Sequence, residues 1–95
     1  MEVEWSRRAV LALRKRTGFL ASKSPRAARE AESTVLAASY KLADFPHMGR
    51  RYAKSPELYR ELVVAFGEEG YTLLYYVERD RVIISRVKHQ REASY

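Results

Sequence analysis

"YRELVVAFGEEGYTLLYYVERDRVIISRVKH", residues 59–89, carries the change of period that decides the fold. Residues 59–66 place Leu62, Val64 and Phe66 on one face at a spacing of two. Residues 71–77 are β-branched and aromatic, and residues 81–89 continue the pattern. "GEEG" and "ERD" supply the turns between them, so the stretch predicts a three-stranded antiparallel meander. Strict alternation sets Val82 and Ile84 against Ile83 and Val87, which makes both faces partly apolar. One face is expected to pack on the rest of the chain, the other to be covered in part by a partner or a tail. Alternation also puts Tyr71, Leu73 and Tyr75 on one face and Tyr76 on the other. Stacking on RNA bases is one use of such tyrosines, and core and partner packing is the use this pattern favours.

Upstream the period is helical. "VEW", residues 3–5, reads as a short initial strand, and Ser6 as the N-cap of a helix running to about Ser22. Val10, Leu13 and Leu20 fall on one face of that helix, and Gly18 weakens its end. Ser24-Pro25 is a start signal for a second helix, a capping hydroxyl followed by a proline suited to the first helical position. Ala28, Ala31, Val35, Ala38, Leu42 and Phe45 then recur at threes and fours. Small residues in this stripe permit close approach, and the short connection makes the first helix its antiparallel neighbour. Phe45-Pro46 ends the helix, because proline lacks the N–H that would continue the ladder.

"HMGRRYAKSP" reads as an irregular loop. Gly49 there is expected to adopt a backbone conformation closed to other residues, Met48 to plug the core beneath the helix end, and Arg50 and Arg51 to face outward. The architecture is therefore α+β: a short N-terminal strand and a two-helix antiparallel hairpin packed on a C-terminal antiparallel sheet, one domain over residues 1–95.

Composition narrows the function classes. The 95 residues contain no cysteine, which excludes disulfides and thiolate chemistry, and two histidines make a poor zinc set. No cofactor motif is present. No apolar run reaches the roughly 20 residues of a membrane span, and the N-terminus lacks a secretory h-region, so a cytoplasmic protein is expected. The formal net charge of +6 arises mostly in residues 1–43, where nine Lys or Arg face four Glu. Such a surface suits an acidic or polyanionic partner, or is simply a solvated basic helix face.

The order of elements and four motifs resemble the RelE/ParE superfamily of toxins from type II toxin–antitoxin modules, and its ParE branch in particular. "SPRAAREAESTVLAASYKLADFPHMGRR" is similar to the family's second helix with its L-x-x-F-P-x-M-G-R ending. "YRELVV" resembles its R-E-L-V-V strand, "GYTLLYYVERDRVII" its hairpin, and "RVKHQRE" its R-V-x-H-x-R close. The resemblance implies a cognate antitoxin that wraps the toxin, extending its sheet and helices, with DNA contact only through that antitoxin. It implies one of two targets: DNA gyrase for ParE-type toxins, or messenger RNA on the ribosome for RelE-type toxins. A degenerate homologue that binds antitoxin without toxicity is a third reading.

Metal-free RNA cleavage needs a base for the 2′-OH, a cation for the transition state and a donor for the leaving oxygen. His89, Arg86 or Arg91, and Tyr95 are the candidates here. The RelE nuclease pattern, however, carries arginines where this chain has Thr72 and Gln90. In an extended strand Arg86 and Lys88 also point away from Val87 and His89. The structural readings are a hydrogen-bonded His89 at a strand end and a loosely held terminal Tyr95. For Arg60, the family's strand arginine, the structural reading is an ion pair holding the sheet to the "GRR" loop. The leading expectation is a gyrase-directed toxin with Arg50, Arg51, Arg60, Lys88, His89 and Arg91 facing its partners.

Overall fold

Two serines start the two helices. Ser6 Oγ accepts the Ala9 N–H at 3.0 Å and opens α1 (Arg7–Ala21), and Ser24 Oγ accepts the Ala27 N–H at 3.1 Å before α2 (Pro25–Tyr40). The computed structural model describes all 95 residues, Met1–Tyr95. Helix α1 buries Ala9, Leu13 and Thr17, whereas Val10 and Leu20 are only half-buried, so the inward stripe is rotated from the expected one. Thr17 can be buried because its hydroxyl donates to the Leu13 carbonyl at 3.1 Å. Helix α2 buries Ala28, Ala31, Val35 and Ser39, and Leu42 follows in a 3-10 turn over Lys41–Ala43. That turn tightens the spiral, so Phe45 falls out of phase and stays 64% exposed where burial was expected.

The strands are β1 (Glu2–Trp5), β2 (Arg50–Arg51), β3 (Arg60–Phe66), β4 (Glu69–Glu78) and β5 (Arg81–His89). They form one sheet in the order β1-β5-β4-β3-β2. The antiparallel meander is β3-β4-β5, as the sequence predicts, but the sheet is mixed because β1 runs parallel to β5. Part of the expected loop is strand β2, which pairs Arg50 with Glu61 and Arg51 with Arg60. The "GEEG" turn is also shorter than expected: Gly67 takes φ +62°, while Glu69 and Gly70 already belong to β4.

One extra residue in β5 breaks the predicted alternation. Tyr75 pairs with Ile84 but Leu74 pairs with Arg86, leaving Ser85 as a β-bulge. Val87 therefore joins Val82 and Ile84 in the core rather than lying with Ile83 on the opposite face. The core forms where the helix stripes meet Leu62, Val64, Tyr71, Leu73, Tyr75, Val82, Ile84 and Val87. The far side of the sheet, called the open face here, carries Glu61, Thr72, Leu74, Arg86 and Lys88. No helix is long and apolar enough to cross a membrane.

Tyr75 ties the loop to this core. Its hydroxyl donates to the Pro46 carbonyl at 2.9 Å and accepts the Gly49 N–H at 3.0 Å. Arg60 adds Nη1 bonds to the carbonyls of Gly49 (2.8 Å) and His47 (3.2 Å), so it fastens the loop through carbonyls and not through an ion pair. Met48 is 49% exposed, because Tyr75 already fills the place expected for it. Gly49 is needed for space and not for its dihedral angle: a Cβ would lie 2.6 Å from the Glu61 carbonyl and 2.6 Å from the Tyr75 hydroxyl.

Two glycines should respond in opposite directions to the same change. Gly49→Ala forces backbone apart and is expected to lower stability by about 2 kcal/mol. Gly18→Ala, whose Cβ meets nothing within 4 Å, removes a flexible residue from α1 and is expected to raise stability by roughly 0.5–1 kcal/mol. Urea denaturation should show the two midpoints moving apart at unchanged slope.

Candidate functional site

The chemistry-bearing residues gather where β5 ends and the tail turns back. Glu92 organises this turn. Its carboxylate accepts two bonds from Arg16 on α1, from Nε at 2.7 Å and from Nη2 at 2.8 Å, and a third from the His89 N–H at 2.7 Å. Its N–H returns a bond to the His89 carbonyl at 2.9 Å, and its own carbonyl accepts Lys88 Nζ at 3.0 Å. The Arg16 guanidinium holds the Glu92 carboxyl below its ordinary range; partial burial opposes this, and the His89 N–H adds to it.

Both ring nitrogens of His89 are engaged. The Arg91 N–H donates to Nδ1 at 3.2 Å, which leaves that nitrogen without a proton, and Nε2–H donates to Glu69 Oε2 at 2.7 Å. Arg91 Nη2 lies 2.8 Å from the other Glu69 oxygen, so His89 and Arg91 converge on one carboxylate. The Tyr71 ring stands edge-to-face against the imidazole, with centroids 5.7 Å apart. Burial, and then the Glu69 charge, raise the Tyr71 hydroxyl above its ordinary pKa. Glu69, Tyr71, His89 and Glu92 line a cleft of about 720 Å³ between the end of α1 and the β3–β4 hairpin, walled by Phe19, Leu20 and Phe66.

The other candidates lie across the sheet. Tyr95 does not trail free, as terminal position led one to expect. Its hydroxyl donates to Glu61 Oε2 at 2.6 Å, its ring meets Tyr52 edge-to-face at 6.0 Å, and Lys88 Nζ sits 5.3 Å from the ring centre. Burial, reinforced by the Glu61 carboxylate, raises the Tyr95 hydroxyl above its ordinary pKa. Glu61 is itself buried and receives Arg50 Nε at 3.2 Å, although the Arg50 side chain is 65% exposed. Arg51 is exposed, and Arg60 faces the helix side of the sheet. Arg86 is on the open face, half-buried, with Nη1 enclosed and without a hydrogen-bond acceptor. The structure thus joins His89 with Arg91, and Tyr95 with Lys88 and Arg50, but keeps the two groups on opposite faces.

Sequence reading missed the carboxylates that organise both groups. Glu69 reads as a turn residue in the sequence, whereas the tight β3–β4 turn sets it in β4 beside the end of β5. Glu61 and Glu92 look like ordinary surface acids until the tail is placed.

Comparison with known proteins gives three findings. A family model described as the ParE toxin of type II toxin–antitoxin systems, parDE, matches residues 3–94. Toxin RelE3 from Caulobacter vibrioides is 40% identical over 90 residues, covering 95% of this chain and 95% of its own length. A solved structure described as the chromosomal ParDE TA system from P. aeruginosa has the same fold, with a TM-score of 0.78 at 17% identity over 94% of this chain and 95% of that one.

The Arg16–Glu92 bond should be visible in acid. Because the folded-state value of Glu92 is depressed, its ionised form stabilises the fold fully above the ordinary Glu value of 4.5, and that contribution fades as pH falls through the folded value. The pair is part-exposed, so Glu92→Gln is expected to cost about 1 kcal/mol at pH 7. Paired urea titrations from pH 7 to pH 3 should show this gap narrowing only at the acid end.

Proposed function

The chain belongs to the ParE toxin family of type II toxin–antitoxin systems, and from that premise we propose that it acts by binding DNA gyrase without an enzymatic step of its own. It is a type II toxin of the RelE/ParE superfamily, and its module includes an antitoxin partner. The family model bears the ParE name and the Caulobacter relative the RelE name, so the branch rests on this chain's own side chains.

The observation that carries the reading is the state of His89. A general base needs a free lone pair, yet Nδ1 is occupied by the Arg91 N–H and Nε2 by Glu69. The hydroxyl that would serve the leaving oxygen, on Tyr95, is committed to Glu61 on the other face. Thr72, where the nuclease pattern resembled above carries an arginine, is buried and neutral. A base, a cation and an acid are therefore not assembled around one phosphodiester.

The antitoxin seat in this reading is the edge of β3. Strand β2 covers only Arg60 and Glu61, so the backbone of residues 62–66 is unpaired along that edge. A groove beside it is lined by Ala37, Ala38, Lys41 and Met48, and a second, sharing Thr34, continues it past Arg26 and Arg29. Added strand and apolar side chains suit such a groove, and acidic groups suit its rim. DNA contact then comes through the antitoxin.

Purified wild type and the variant carrying His89→Ala, Arg91→Ala and Tyr95→Ala separate the readings. Inhibited supercoiling by gyrase, with messenger RNA intact in a translating extract, is the expected result. RNA cuts made by the wild type and lost in the variant would overturn it and establish a ribonuclease. Neither effect, together with harmless expression, would mark a protein that only binds antitoxin.

A further inference from the structure

The open face holds more hydrogen-bond donors than its present cover satisfies. Arg86 and Lys88 stand two residues apart on one side of β5, which sets their backbones roughly 7 Å apart along the strand. Tyr95 reaches over β4 between Glu61 on β3 and Lys88 on β5, and Leu74 beneath that span is 7% exposed. The phenol gives its proton to Glu61 and its π-face to Lys88 but supplies no acceptor to Arg86 Nη1, which is enclosed and unpaired. Nearly all buried donors in folded proteins find an acceptor, so an orphaned guanidinium nitrogen beside a second cation marks a place for an anion.

We propose that Arg86 and Lys88 form a phosphate-binding subsite on the open face, and that Tyr95 is the latch that closes it. The latch is short: Glu92 fixes the tail to α1, Ala93 and Ser94 are exposed, and Tyr95 is the next anchor. When it lifts, Arg50 remains to neutralise Glu61 at 3.2 Å, so the carboxylate does not repel the incoming anion at full strength. A phosphate then offers oxygens to Arg86 and Lys88 together, which a neutral phenol cannot do. His89 lies on the opposite face, so the site holds phosphate without a histidine base to cut its esters. Free phosphate and the phosphodiester of a single strand share this chemistry. The inference is independent of the gyrase assignment.

The test follows backbone amide signals by NMR while the full-length chain is titrated, in one arm with inorganic phosphate and in the other with a thymidine hexanucleotide, against chloride at matched ionic strength. In Tyr95→Ala, saturable shifts at Leu74, Arg86 and Lys88 are expected at concentrations at least tenfold below those needed in wild type. Adding Arg86→Gln should reverse the gain. Tyr95→Phe keeps the ring and removes only the bond to Glu61; it should give a smaller gain and carries the test should the alanine variant misfold. Response in the phosphate arm alone assigns a free anion, and response in the hexanucleotide arm assigns a strand. No saturable shift in any opened variant, or an unchanged response after Arg86→Gln, would overturn the proposal.

Discussion

Ser6 is where the two halves of this protein are put in register. Its Oγ accepts the Ala9 N–H and donates to the Ser85 carbonyl at 3.1 Å, while its N–H donates to the Ile84 carbonyl at 2.9 Å. One residue therefore caps α1, ends β1 and fastens the bulge in β5. Without that bulge Arg86 would continue the row of Val82 and Ile84 into the core, and Val87 would turn outward. An unpaired guanidinium in the core is far costlier than one displaced valine, so the register is strongly specified. Everything beyond the bulge inherits its phase: Val87 and His89 toward the helices, Arg86 and Lys88 toward the open face.

The tail exploits both phases with a carboxylate on each side. Glu92 receives the guanidinium of Arg16 at the helix end, and Glu61 receives the phenol of Tyr95 on the open face. A tail of six residues thus ties α1 to β3, crossing β4 on the open face. Trp5 does similar work at the other end of the sheet, donating to Ser39 Oγ at 3.1 Å and fixing β1 to α2. Such polar ties are each modest, but they join elements distant in sequence, where each also limits how far the layers can slide.

Much of the fold was legible in the sequence because local rules agreed with the global result. Ser6 and Ser24-Pro25 began the helices, small residues from Ala28 to Val35 lay inward, and Arg81–His89 was read as a strand to the residue. What failed was phase across an irregularity. Alternation cannot announce an extra residue at Ser85, nor a 3-10 turn that swings Phe45 outward. Strand β1 was visible as "VEW", but its parallel pairing with β5 depends on a crossover that spacing does not encode. At the site, His89, Arg91 and Tyr95 were recognised as reactive types, whereas their separation on two faces depended on where the tail folds. The roles of Glu61, Glu69 and Glu92 are not legible in the sequence, because an acid's role is set by the cation or hydroxyl that reaches it.

The bare backbone along β3 also governs how this protein behaves when it is alone. Val63 is 46% exposed on that edge, and nothing there resembles the proline or inward charge by which isolated sheets refuse a neighbour. Lys41 stands at its margin, with Arg26 and Arg29 farther along toward Phe66, as gatekeepers. A strand from another copy finds the same unpaired groups as a strand from a partner, so the two compete by mass action. An excess of partner favours the heterologous pairing and an excess of this chain the homologous one. The fate of chains made in excess is thus written into five residues of sheet edge.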